Sequence, residues 1–294
     1  MNTLIFTVDV EAFPRRSKST PFESLILGQL ENGVGGITRL MDIADKHDVK
    51  MSFMLDFIEY EMYGNKIIDA GKYILDRGHD LQLHAHPEIF SSRSSPYWIS
   101  SKLPMPLNCN NLSLKQSMHL FDYLLDKYYK VTNDSPLAFR GGSYTLSYSI
   151  IEAMHYYGLT ADCSYNPTRP APFLNDLGIV NPFKFNNGVV EIPVPCIDGF
   201  GTIKRVFDFN FNAHALSSNN RYLNFLDIFF ASSKSDVATL VMHSWSLSKQ
   251  FPDSQTQTYD ILQDDLINSF EKLIIDAKTK YSIKTLKDYL TGLK

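Results

Sequence analysis

The chain has 294 residues, 44% of them hydrophobic and 20% charged, with a net charge of −4, enough for a sizeable core and ordinary for a globular protein. Twenty-eight Lys and Arg against 32 Asp and Glu give no electrostatic case for a nucleic-acid or membrane-surface partner. The cysteines, Cys109, Cys163 and Cys196, are far apart and form no Cys-x-x-Cys pair, which argues against a thiolate zinc site or a disulfide framework.

TLIFTVDV, Thr3 to Val10, is a short apolar run rich in β-branched residues and predicts a buried strand. Residues 37–47 carry apolar side chains at 37, 40, 41 and 44, the spacing of a helix. A strand over 49–55, a helix over 64–77 stopped near Gly78, and a strand over 80–86 follow. The alternation goes on with a helix at 112–129, a strand at 137–140, a helix at 148–157, and strands at 159–164 and 189–194. A helix at 221–231, a strand at 238–244, a helix at 259–279 and a terminal SIKTLKDYL unit complete it. Repeated βα units predict one α/β domain over 1–294 with a parallel sheet, open or closed into a barrel. Two stretches break the pattern, 89–111 and 166–188, and loops of that length often form lids or binding walls. The apolar run at the N-terminus is too short for a signal peptide, and no stretch of about 18 apolar residues could span a bilayer. The expectation is a cytoplasmic protein; its oligomeric state is open.

In parallel βα folds the ligand site lies at the C-terminal ends of the strands. There the sequence places Asp9 and Glu11, His84 and His86, Arg140, Asp162 and His243. Alone, each has a bland explanation: a turn cap, a satisfied core histidine, a solvated strand end. Together on one rim they must be paired or metal-bound, because buried charges without partners are costly. Residues two apart in a strand face the same side, so Asp9 joins Glu11 and His84 joins His86. Two imidazoles and a carboxylate with an open position are a standard catalytic zinc(II) set that other divalent ions also accept.

These segments resemble the polysaccharide deacetylases, the NodB-type carbohydrate esterases. TVDVE, GHDLQLHAHPE, FRGGSY, VEIPVP and LVMHSWS are similar to that family's five motifs, in order and over nearly the whole chain. The resemblance implies a distorted (β/α)7-type barrel, the NodB-homology fold, holding one divalent metal, with zinc(II) the first choice. It implies Asp9 as general base and Glu11 as a metal ligand, acidic residues two apart where most members have two adjacent aspartates. The family's second histidine, four residues on, is replaced by Glu88; a His-x-His-Pro subgroup linked to surface-polysaccharide gene clusters supports His84 and His86 as ligands, with Glu88 as the alternative.

The expected reaction is hydrolysis of an N-acyl group, acetyl or formyl, from an amino sugar, a precursor in surface-polysaccharide synthesis. Arg140 would orient Asp9, His243 would protonate the leaving amine, and Asp162 would pair with His243. Tyr144 and Trp245 would stack on the sugar. Two other readings stand beside it: a hydrolase of a small non-sugar amide or imide, and a sugar-binding barrel that has lost catalysis.

Overall fold

The computed structural model describes residues 1–12, 20–87, 108–169, 174, 180–198, 204–207, 209, 221–249 and 261–293. Nine strands form the main sheet: β1 (Thr3–Val10), β2 (Ser52–Asp56), β3 (Asp80–Ala85), β4 (Ala138–Gly141), β5 (Ala161–Asp162), β6 (Phe183–Lys184), β7 (Val190–Glu191), β8 (Val237–His243) and β9 (Ser282–Ile283). The order across it is β8-β1-β2-β3-β4-β5-β7-β6, with β9 added to β1. From β8 to β7 every ladder is parallel, and β6 closes the far edge antiparallel to β7. The sheet is thus a curled, parallel-dominated open barrel, in agreement with the predicted distorted barrel.

The longer helices among the described residues are α1 (Gly36–Lys46), α2 (Asn65–Asp76), α3 (Leu114–Val131), α4 (Tyr148–Tyr156), α5 (Arg221–Ser232), α6 (Asp264–Lys280) and α7 (Leu286–Thr291). Each of β1 to β4 is followed by one of α1 to α4, as the alternating pattern requires. β1 is buried along all eight residues, as expected of a parallel strand covered on both faces. Helix α3 starts at a capping box in which Ser113 and Gln116 satisfy each other's main-chain donors.

The core divides by strand alternation. Phe6, Val8, Phe53, Leu83 and Phe139 pack outward against the helices. Ile5, Met54, Ala138, Ala161 and Cys163 line the inside and meet Leu286, Tyr289 and Leu290 of α7. Helix α7 therefore plugs the end of the barrel opposite the strand C-termini, and leaves the polar residues at the other rim. The three cysteines are buried. Among the described residues no helix is long and apolar enough to cross a membrane.

The sequence-based elements differ from the structure mainly at strands. β5 and β7 are two residues each, where runs of six were expected, because Pro193, Pro195 and the turns after Asp162 end the ladders early. Strand β6 lies in the Pro-rich stretch 166–188, where no strand was expected.

Candidate functional site

The ladder registers line up the polar strand ends. Asp9 pairs with His243 across β1 and β8, Asp56 with His84 across β2 and β3, and His84 with Arg140 across β3 and β4. Register partners share a face, so these side chains converge on the inner rim. Asp9, Glu11, His84, His86 and Arg140 are all buried.

Glu11, His84 and His86 form one cluster, with ligand atoms within 4.8 Å of one another. His86 Nε2 lies 2.6 Å and His84 Nε2 3.3 Å from Glu11 Oε2. The other nitrogen of His84, Nδ1, donates to the main-chain oxygen of Arg140 at 2.8 Å. A carbonyl only accepts, so Nδ1 carries the proton and Nε2 is the atom turned to Glu11. Burial alone would push the Glu11 carboxyl up; the His86 charge and the hydrogen bonds from both imidazoles outweigh it and hold it well below the usual range. Burial lowers His84, and the charge of Asp9 and the bond to Glu11 reverse that, leaving it raised. The cluster is thus an anion surrounded by imidazole nitrogens that must hold either protons or a cation. A divalent ion is the group that replaces such protons, so the residues fit one.

Asp9 is held from the side. Arg140 Nη1 lies 2.6 Å from Asp9 Oδ1, its Nη2 donates to Thr7 Oγ1 at 2.9 Å, and its Nε donates to Cys163 O at 3.1 Å. Three fixed acceptors lock the guanidinium fork, and with it one oxygen of Asp9. His243 Nε2 sits 4.0 Å from Glu11 Oε1, with the ring about one-fifth exposed. Its Nδ1 is buried without a partner among the described residues.

Two expected contacts are absent. Asp162 does not pair with His243. Its register partner is Phe139, one residue before Arg140, so its side chain projects from the opposite face of the sheet. There Asp162 Oδ1 and Oδ2 accept from the Ser164 N–H and hydroxyl at 2.8 and 2.9 Å, and the carboxyl faces Glu191. Burial is the main force raising both acids, and the charge of Asp162 adds to it at Glu191. Trp245 offers no open face to a sugar. It is 1% exposed and stacks on the His243 ring at 4.5 Å between centroids. Buried beside His243, it supports that ring.

Tyr144 is half-buried beside the site, with Arg169 over its ring at 5.2 Å. Ser143 and Tyr144 both have left-handed backbone, φ 54° and 59°, an arrangement that side chains disfavour and that clusters at functional sites. The preceding Gly142 faces the His86 ring so closely that a Cβ there would lie 2.4 Å from Cε1. This is the steric reason for glycine in FRGGSY. Glu88 lies outside the described residues.

Sequence reasoning missed Asp56, Glu59 and Glu191, all fully buried acids. Asp56 ends β2, and the rule that found Asp9 would have found it had that strand been carried one residue further. Glu191 sits in the apolar run VVEIPV, and a lone acid in such a run is itself a signal.

No protein-family model matches the chain, and no curated protein matches it in sequence. Solved structures do match in fold. A Mycobacterium smegmatis protein assigned to the polysaccharide deacetylases aligns at TM-score 0.56 and 14% identity, covering 96% of this chain and 85% of that one. A family 4 acetyl xylan esterase from Clostridium thermocellum, in complex with a cobalt ion, aligns at 0.50 and 12%, covering 98% and 90%. The CE4 family pseudoenzyme of Bacillus anthracis aligns at 0.51 and 11%, covering 98% of this chain; this chain spans 64% of its length. At these identities the likeness establishes architecture: the chain has the fold of the CE4 polysaccharide deacetylases.

Proposed function

We propose that this protein is a divalent-metal-dependent hydrolase that removes an N-acyl group, acetyl or formyl, from an amino sugar, and that its substrate is a precursor of a surface polysaccharide. The observation that carries the reading is the buried Glu11–His84–His86 cluster beside an Arg140-clamped Asp9, with His243 across from it. Glu11, His84 and His86 would hold the ion. Bound there, it supplies Lewis acidity to the amide oxygen and to the hydrolytic water.

The chain's own groups account for the proton traffic. Asp9 has one oxygen fixed by Arg140, and its other oxygen has no hydrogen bond among the described residues. It takes the proton from the attacking water as general base. His243 stands on the far side of Glu11 and gives a proton to the departing nitrogen, which leaves poorly as an anion. Trp245 keeps that imidazole in place. Tyr144, on the strained loop against His86, borders the place where the sugar would lie. Sugar-active structures of the same fold favour a carbohydrate substrate over other small amides.

A second reading comes from the fold likeness to a pseudoenzyme: a sugar-binding barrel without turnover. The joint presence of Asp9, Arg140 and His243 favours catalysis, since a binder needs neither base nor acid. Release of acetate or formate from a panel of N-acyl amino-sugar nucleotides and lipid-linked amino sugars, by metal-loaded protein and by Asp9→Asn, tests the proposal. Release by the wild type and its loss in Asp9→Asn is the expected result. Binding of these compounds without release would turn the reading to the second.

A further inference from the structure

We infer that Asp56 and Glu59 form a carboxylate brace that sets the geometry of the proposed metal ligands, Asp56 through the main chain of His86 and Glu59 through the main chain next to Glu11. The inference rests on the metal reading of the Glu11–His84–His86 cluster. Both acids are fully buried, Asp56 at 0% and Glu59 at 1% exposure. Asp56 Oδ2 accepts from the His86 N–H at 3.1 Å. Glu59 Oε1 accepts from the Ala12 N–H at 2.6 Å.

These two donors sit where the sheet stops supplying acceptors. The β1–β2 ladder ends at Val10 and Leu55, and the β3–β4 ladder at Ala85 and Gly141. Glu11 and His86, which meet at 2.6 Å, therefore stand just past the last strand pairings. A buried N–H beyond a ladder needs an acceptor from elsewhere. One short segment provides both. Residues 57–59 form a single 3₁₀ turn, and Asp56 Oδ1 caps it by accepting from the Ile58 N–H at 3.0 Å. Asp56 thus holds His86 with one oxygen and, with the other, the turn that carries Glu59. The two holds are linked through a single side chain.

The segment around Glu11 is fixed on its other sides as well. Tyr63 Oη donates to Ala12 O at 2.9 Å, and Ser244 Oγ donates to Glu11 O at 3.2 Å. Glu11 and His86 come from strands that do not adjoin, and β2 lies between them. From its end a single turn reaches both. Groups that orient metal ligands without touching the ion have this role, and their loss typically weakens metal binding by about 10- to 100-fold.

The test is cobalt(II) titration of metal-free protein, read by the visible absorption of the bound ion and by competition with a chelator. Wild type, Asp56→Ala, Glu59→Ala and Glu59→Gln are compared, each with a thermal melt of the metal-free form. Asp56→Ala and Glu59→Ala are expected to bind cobalt about 10- to 100-fold more weakly, with a changed band intensity. Glu59→Gln keeps the acceptor for Ala12 and should return close to the wild-type affinity and spectrum. If Asp56→Ala fails to fold, the Glu59 pair decides alone. Folded Glu59→Ala with wild-type affinity and spectrum overturns the brace while leaving the metal reading intact. A wild-type protein that takes up no cobalt overturns the metal reading, and the brace with it.

Discussion

The main-chain oxygen of Arg140 accepts the Nδ1 proton of His84 at 2.8 Å, while the guanidinium of the same residue reaches Asp9 at 2.6 Å. One residue of β4 therefore orients a proposed metal ligand with its backbone and the proposed base with its side chain. The two roles separate on mutation. Arg140→Met keeps the carbonyl and removes the guanidinium, breaking a buried ion pair at a cost of about 3–5 kcal/mol. Metal content should stay near the wild-type level while turnover is lost. Arg140→Lys restores a charge without the three-way fork, so it should recover stability more than activity. Denaturant unfolding, metal analysis and an activity assay on the three proteins check this.

His243 lies across Glu11 from the histidine ligands and 4.0 Å from it, at the edge of the cluster. As general acid it should matter to rate and little to the metal. His243→Ala is expected to slow turnover by about 10²- to 10⁴-fold with metal content unchanged. Trp245→Leu, which removes the stacked ring and leaves the imidazole, should give a smaller loss. If His243→Ala empties the metal site, His243 is a ligand and the assignment of the acid is wrong.

The Asp162–Glu191 pair predicts a pH dependence of stability. Burial raises Asp162 to about 6 against the lowering by its hydrogen bonds with Glu191 and Ser164 and by the Arg140 charge, and Glu191 stands well above its ordinary value. Between about pH 4, the ordinary carboxyl range, and the raised folded values, the native state holds more protons than the unfolded chain. The pair's contribution is therefore complete below about pH 4 and is lost as the pH rises through 6. Glu191→Gln removes the second charge from the pair. Its melting temperature relative to wild type should rise steadily between about pH 5 and pH 8. A difference that stays flat across that range would show that Glu191 is not raised into it.

Much of this site was legible because strand alternation is a strict rule. It puts Asp9 with Glu11 and His84 with His86 from residue spacing alone, and the structure brings all four to one rim. The parallel sheet followed from the βα rhythm, and the distorted barrel and the Arg140–Asp9 pair from the motif resemblance. The rest depended on register and on loops. Whether Asp162 faces His243 turns on a one-residue offset between β4 and β5, which no local pattern reveals. That Trp245 is buried against His243, and not open to a sugar, depends on the turn after β8. Asp56 and Glu59 act through main-chain N–H groups at the ends of other strands, contacts between segments 30 and 47 residues apart.

The central claim is that Glu11, His84 and His86 hold a divalent ion. Metal analysis of protein loaded with zinc(II) or cobalt(II) and freed of excess, beside Glu11→Ala, His84→Ala and His86→Ala, tests it most directly. The account predicts about one equivalent in the wild type and a fall to background in each variant that still melts as a folded protein. Less than about a tenth of an equivalent in the wild type, or full retention in His86→Ala, would contradict it.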